Sequence, residues 1–209
     1  MVLDIVTAII AYLIGSINFS VIFSKKMAGF DIREKGSGNA GTTNMLRAVG
    51  KMGALVTLLC DILKGIVAIL IAMFIGWAFQ VENQSLLVQI AGIAVVIGHT
   101  FPIFFGFKGG KGVATSLGIL IMSNWQIGLI CLVFAIVLMA LTRMVSLGSC
   151  AAAVLFPVLT LFIKDHYIVT QGSGYFIYSV ILAGIVLFNH RSNIQRILAG
   201  EENKISFSK

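Results

Sequence analysis

Charged residues and proline are what this chain has least of. Only 11% of its 209 residues are charged and just two are proline, against 58% that are hydrophobic, and the mean hydropathy is +1.01. A soluble domain carries about 25% charged residues to coat its surface. Without that coat a soluble fold is excluded, and a chain that threads a bilayer several times is implied. Cysteine is scarce as well: Cys60, Cys131 and Cys150 all fall inside apolar runs with no metal-ligand spacing. They read as small buried hydrophobes rather than disulfide partners or ligands. The opening Met1-Val-Leu-Asp4 has no basic stretch, so a cleaved signal peptide is not expected. Acidic residues are outnumbered, eight to fifteen Lys and Arg, for a net charge of +7. In a soluble protein that excess would suggest nucleic acid. Here the basic residues sit in short gaps between apolar runs, which is the pattern of cytoplasmic loops beside anionic headgroups, so membrane lipid is the expected partner.

A span needs about 20 residues to cross about 30 Å of hydrocarbon. Apolar runs predict membrane segments at 2–24, 53–77 and 86–105, separated by a basic loop at 25–52 and a link at 78–85 that has Glu82 but no Lys or Arg. The loop belongs inside and the link outside. Residues 113–142 would run about 45 Å as one helix, too long for a single crossing. A single crossing would also put the tail, with Arg191, Arg196, Lys204 and Lys209, outside. The run must therefore turn, at Ser123-Asn124-Trp125, into a short segment 113–123 and a second at 126–142. Segments at 145–163 and 175–189 follow, joined by an outer loop that carries Lys164, Asp165 and His166. The expected fold is an all-α integral membrane protein, one polytopic domain over 1–209 with about seven transmembrane helices, N-terminus outside and C-terminus cytoplasmic. Five spans plus a re-entrant pair is the alternative topology.

The polar residues cluster. Gly36-Ser-Gly-Asn-Ala-Gly-Thr-Thr-Asn-Met-Leu-Arg47 packs three glycines, hydroxyls and amides before an arginine. Gly36, Gly38 and Gly41 let the backbone turn N–H groups inward as an anion cradle, and Ser37, Asn39, Thr42, Thr43 and Asn44 add donors. Arg47 adds a planar fork that suits phosphate. Gly109-Gly110-Lys111-Gly112 reads as a second cradle, with Lys111 at the start of a helix whose dipole also favours an anion. His190 and Asn193 lie one turn apart at the last helix exit, where they could order a hydroxyl and a phosphate oxygen.

Plainer readings stand beside these. Gly36–Gly41 fits G-x-G-x-x-G literally, but no strand precedes it, so a dinucleotide site is not expected; the second loop lacks P-loop spacing. Glycine-rich basic loops in membrane proteins often serve only as tight connections with snorkelling lysines. Asp61 and Lys64, one turn apart at membrane depth, can neutralise each other as a buried strut or touch substrate, and the strut is the expected role. His99 is either a hydrogen-bonding partner in helix packing or a group that steadies the site. His166 reads as solvated, and Arg143, with Ser146 nearby, as a headgroup anchor rather than a contact to the site.

Three stretches, GSGNAGTTNMLR from Gly36, GHTFPIFFGFKGGKGVAT from Gly98 to Thr115, and HRSNIQRILAGEE from His190 to Glu202, together resemble the bacterial acylphosphate:glycerol-3-phosphate acyltransferase family over nearly the whole chain. The resemblance implies an enzyme of the bacterial cytoplasmic membrane that takes acyl phosphate and glycerol 3-phosphate, uses no cofactor or metal, and faces the cytoplasm. It implies that Ser37, Lys111, His190 and Asn193 act in catalysis, with phosphate held by Gly36–Asn39, Thr43, Arg47 and Gly109–Gly112. His190 either takes the hydroxyl proton or binds phosphate while a substrate phosphate oxygen acts as base. Thioester-dependent acyltransferases use H-x-x-x-x-D, and none of His99, His166 or His190 has Asp five residues on. A phosphate or glycerol phosphate transporter is the alternative, but a transporter should continue its polar path to the outer face, where little polar is found.

Overall fold

The computed structural model describes residues 1–163 and 174–205. Among them all regular structure is helical: α1 (Val2–Gly15), α2 (Phe19–Ala28), α3 (Thr42–Ala48), α4 (Lys51–Ala78), α5 (Gln84–Thr100), α6 (Val113–Ser123), α7 (Trp125–Thr142), α8 (Val145–Phe162), α9 (Gly174–Asn189) and α10 (Arg191–Leu198). Single 3-10 turns stand at Ile32–Glu34 and Ile103–Phe105. Among the described residues, five stretches are long and apolar enough to cross a membrane: Val2–Ala28, Lys51–Ala78, Gln84–Phe105, Trp125–Thr142 and Val145–Phe162. The apolar helices α6 and α9 are shorter. At 1.5 Å per residue α6 measures only about 16 Å, roughly half a hydrocarbon core. The expected outer-loop residues Lys164, Asp165 and His166, like Lys209, lie outside the described residues.

The chain forms two compact units, Met1–Ser123 and Asn124–Lys209. In the first, α1 packs on α5, and α4 packs on both α5 and α6. These helices touch backbone to backbone. A Cβ on Gly15 would run into the Val95 carbonyl and one on Gly98 into that of Tyr12, while Gly65 and Gly118 face the carbonyls of Thr115 and Ile62 in the same way. Lipid tails are as apolar as leucine, so helices in a bilayer gain by close packing of small residues rather than by hiding oil from water.

The first apolar run departs from expectation. Instead of one helix over 2–24, it continues to Ala28 and breaks between Gly15 and Phe19. Asn18 stops helical continuation by capping α2, its Oδ1 accepting from Val21 N at 3.2 Å and from the Ser20 hydroxyl at 2.8 Å. The carbonyls freed by the break are taken by a side chain from α4, the Lys64 ammonium, which donates to Gly15 O at 3.0 Å and Ile17 O at 2.9 Å.

In the second unit α7 packs on α8, α8 on α9, and α10 folds against both α8 and α9. The apolar run 113–142 is two helices that meet at Asn124, whose Oδ1 caps α7 by accepting from Ile127 N at 3.0 Å. Arg143 ends α7 in the left-handed conformation, φ 61°. The tail returns to this corner, where Ile205 N donates to the Arg143 carbonyl at 2.9 Å.

Candidate functional site

The segment expected as a glycine loop over 36–47 is half loop and half helix, since α3 begins at Thr42 with Gly41 as its N-cap. It is seated on a small apolar core in which Val21, Ile32, Ala40, Met45 and Ala54 are buried and Phe105 packs at the edge. The loop is wound around Asn44, which is 1% exposed. Its Nδ2 lies 2.9 to 3.0 Å from the carbonyls of Ile32, Lys35 and Asn39. Its Oδ1 accepts from the Ser37 amide at 2.9 Å. Asn44 is thus a scaffold rather than the ligand donor its composition suggested, and the Ser37 amide is spent on it. Gly36 and Gly38 turn the chain here at φ 57° and 71°, a region open to glycine at no steric cost. What reaches outward is the exposed Ser37 side chain and, from the last turn of α3, exposed Arg47; Asn39 and Thr43 are half-buried.

The second glycine loop is fastened to the end of α5. Gly109 N donates to Thr100 O at 3.0 Å and Gly110 N to His99 O at 3.1 Å. A helix end leaves carbonyls without intrahelical partners, and these two amides satisfy them. Those two amides of the expected cradle therefore already have main-chain partners. Half-buried Lys111 follows and α6 begins at Val113.

The two loops adjoin. A Cβ at Gly110 would run into Ala40 O, and Arg33, three residues before the first motif, bonds to the second stretch by donating from Nη1 to the carbonyls of Phe105 and Lys108. The other side of the guanidinium grips Asp31, Nε on Oδ1 at 2.9 Å and Nη2 on Oδ2 at 2.8 Å. The Arg33 hydrogen bond holds the Asp31 carboxyl well below the usual carboxylate range, and Asp31 in turn raises Arg33. An open pocket of about 500 Å³ lies at this junction, lined by Asp31, Arg33, Glu34, Gly38, Phe105, Gly106, Lys108 and Gly109.

Beneath the loops, Asp61 and Lys64 form the expected ion pair, 2.9 Å apart and 3% and 2% exposed. His99 joins them, its Nδ1 3.5 Å from Asp61 Oδ1. The strut reading of the pair fits this geometry, because the ammonium also holds the α1–α2 break.

In the second unit His190 sits at the corner between α9 and α10, 4% exposed, with Nδ1 2.8 Å from Val186 O. One turn on, Asn193 donates from Nδ2 to Glu202 Oε1 at 2.7 Å. Glu202 also receives the Ser146 hydroxyl at 2.8 Å and Arg196 Nε at 2.9 Å. Burial alone would raise its carboxyl, but the hydrogen bonds from Asn193 and Ser146 and the Arg196 contact outweigh that and hold it below its ordinary value. This hub was not singled out from the sequence, where Glu202 was only the end of a motif. Arg143 and Ser146 part company: Arg143 is exposed, whereas Ser146 is buried on Glu202.

A family model described as glycerol-3-phosphate acyltransferase matches residues 5–200. The chain belongs to the glycerol-3-phosphate acyltransferase family. Among relatives in this family, the glycerol-3-phosphate acyltransferase of Thermoanaerobacter sp. (strain X514) is 45% identical over 201 residues, covering 96% of this chain and 95% of its own. That of Clostridioides difficile (strain 630) is 43% identical over 205 residues, covering 98% and 97%. The fold matches crystal structures of PlsY (YgiH), described as an integral membrane glycerol 3-phosphate acyltransferase. Its glycerol 3-phosphate form gives a TM-score of 0.83 at 32% identity, covering 97% of this chain and 96% of that one. Its lysophosphatidic acid form gives 0.81 at 32% identity, covering 97% and 95%.

Proposed function

We propose that this chain transfers a fatty acyl group from an acyl phosphate to the hydroxyl at position 1 of glycerol 3-phosphate, giving lysophosphatidic acid and inorganic phosphate, the first step of phospholipid synthesis. The observation that carries the reading is the junction of the two glycine loops in the first unit, where Arg33 ties them together and Ser37, Arg47 and Lys111 stand close by in sequence, in a family with a solved member in a glycerol 3-phosphate form.

The donor is a mixed anhydride with phosphate as leaving group, so neither a covalent nucleophile nor a strong leaving-group acid is needed. The protein's work is orientation, and stabilisation of charge on the carbonyl oxygen and the departing phosphate. Ser37, Arg47 and Lys111 hold phosphate groups, Asn39 and Thr43 assist, and the loop glycines supply the turns. Asn193, held by Glu202, positions the acceptor. His190 takes the hydroxyl proton, or holds phosphate while a substrate phosphate oxygen takes it. The fatty chain lies in or beside the lipid, and glycerol 3-phosphate enters from the cytoplasm. On this reading α6 and α9 are short crossings that bring the five long spans to seven, with the N-terminus outside and both glycine loops on the cytoplasmic face of a bacterial inner membrane. Transport of phosphate or glycerol phosphate is the weaker reading, because the family is named for acyl transfer.

Purified protein in detergent or lipid, given glycerol 3-phosphate and palmitoyl phosphate, should release inorganic phosphate only when both are present, form lysophosphatidic acid, and ignore the coenzyme A thioester. Folded protein that releases none would sink the acyltransferase reading. His190→Gln separates the two roles of the histidine: near-normal turnover with a preserved pH profile excludes it as the base.

A further inference from the structure

His99 does more in this fold than pack a helix. Its imidazole is 5% exposed and has a different element against each nitrogen. Nδ1 faces α4, 3.5 Å from Asp61 Oδ1, an ion-pair distance rather than a short hydrogen bond. Nε2 faces the second glycine loop, so closely that a Cβ at Gly110 would run into it. The main chain of the same residue holds the same loop, His99 O accepting from Gly110 N at 3.1 Å.

Asp61 is itself held still. Lys64 Nζ forms an ion pair with Asp61, 2.9 Å from Oδ1, and donates to the carbonyls of Gly15 and Ile17 at the α1–α2 break. The ammonium is hydrogen-bonded to two carbonyls and paired with the carboxylate, so the pair cannot swing without leaving a charge or a carbonyl stranded in an apolar surround. A line of contacts therefore runs from the break in the first span through Lys64, Asp61 and His99 to Gly110, the residue before Lys111. Ala40 of the first motif abuts the same glycine. A carboxylate beside one nitrogen of a histidine favours one orientation of the ring and so aims the other nitrogen at whatever lies on the far side.

We propose that His99 is a positioning residue for the reaction: oriented by the buried Asp61–Lys64 pair, its ring braces Gly110 and so sets where Lys111 and the adjoining first motif stand. The proposal rests on the acyltransferase reading for what the loop holds, but its mechanical part stands apart from that reading. His99→Phe keeps a flat ring of similar volume and removes both nitrogens. His99→Asn keeps a donor near the Nδ1 position that can still face Asp61. If the ring only filled space, phenylalanine would serve better than asparagine.

The experiment measures amide hydrogen exchange over residues 106–115, thermal melting, and steady-state kinetics for wild type, H99F and H99N. The expected result is exchange in that segment faster by about tenfold in H99F, while the helices exchange as in wild type. With it, KM for at least one phosphorylated substrate rises about tenfold with a smaller change in kcat, as loss of ground-state grip requires. H99N recovers most of both. The proposal is overturned if H99F leaves loop exchange and KM at wild-type values, or if H99F changes exchange evenly along the chain and H99N fares no better. Should wild-type protein prove inactive, the acyltransferase reading fails while the exchange comparison still decides whether His99 braces the loop.

Discussion

Replacing Lys64 by methionine removes the ammonium while keeping a flexible stem of similar length. Three acceptors are left behind, all placed by the structure: Asp61 Oδ1 at 2.9 Å, Gly15 O at 3.0 Å and Ile17 O at 2.9 Å from the lost nitrogen. Stranding one partner of a buried ion pair costs about 3–5 kcal/mol. Each carbonyl left without its donor adds about 1–3 kcal/mol, less where water or a neighbour can step in. Because these terms overlap, a loss of about 4–6 kcal/mol is expected for the single variant. For a chain of this size each kcal/mol lowers the melting point by about 2–4 °C, so the variant should melt roughly 10–20 °C below wild type in the same detergent. The double variant Asp61→Asn with Lys64→Met removes the stranded charge and leaves only the carbonyls. It should recover about half of the loss. Melting is followed by light scattering and tryptophan fluorescence at two salt concentrations; salt should not matter, because the pair is shielded from solvent. A single variant that melts within about 3 °C of wild type, or a double variant that melts no higher than the single, would refute the strut.

Glu202 predicts an acid-sensitive corner. Its folded carboxyl is held below the unfolded value, so the stability it contributes is present at neutral pH and is lost as pH falls through the lowered folded value. Melting of wild type should decline below about pH 4.3, the ordinary glutamate value, and Glu202→Gln should melt lower at pH 7 with a flatter acid limb; equal slopes in the two proteins would count against the assignment. Arg33→Lys keeps the charge but loses the fork that binds Asp31 and two carbonyls at once, so residues 103–108 should become more open to protease, with a loss of about 1–3 kcal/mol in melting stability. Unchanged cleavage of that segment would show that Arg33 is not the staple. Gly110→Ala sets a methyl against His99 Nε2 and Ala40 O, and should reduce kcat/KM at least about tenfold while the spans still melt cooperatively; full activity would mean that the loops part easily.

The all-helical, membrane-crossing character was legible because hydropathy is an additive property of neighbours in sequence, and the helix ends at Asn124 and Arg143 coincide with polar residues in apolar runs. The glycine and arginine motifs were legible as inventories of donors. What could not be read was who uses each donor. Asn44 turned out to spend its amide on four main-chain groups, and Gly109 and Gly110 spend theirs on the end of α5, because backbone groups near a helix end compete for the same amides a ligand would want. Long-range partners were equally hidden. Lys64 finds Gly15 and Ile17 nearly fifty positions away, and Glu202 finds Ser146 at a separation of 56. The break near Asn18 did leave a signal: Ser16, Asn18 and Ser20 alternate within the first apolar run, and asparagine is a strong N-cap.

The loop built on Asn44 reads only main-chain atoms. Side chains at Glu34 and Lys35 can drift through substitution without moving the loop, since neither is what the amide holds. The amide itself has no such latitude. Deamidation, the slow hydrolysis that ages asparagine in stored protein, would exchange one nitrogen for oxygen and set a carboxylate against the carbonyls of Ile32, Lys35 and Asn39. Three attractions would become three repulsions at a change of about one mass unit, and the shelf life of the folded first motif is bounded by how well burial protects that single bond.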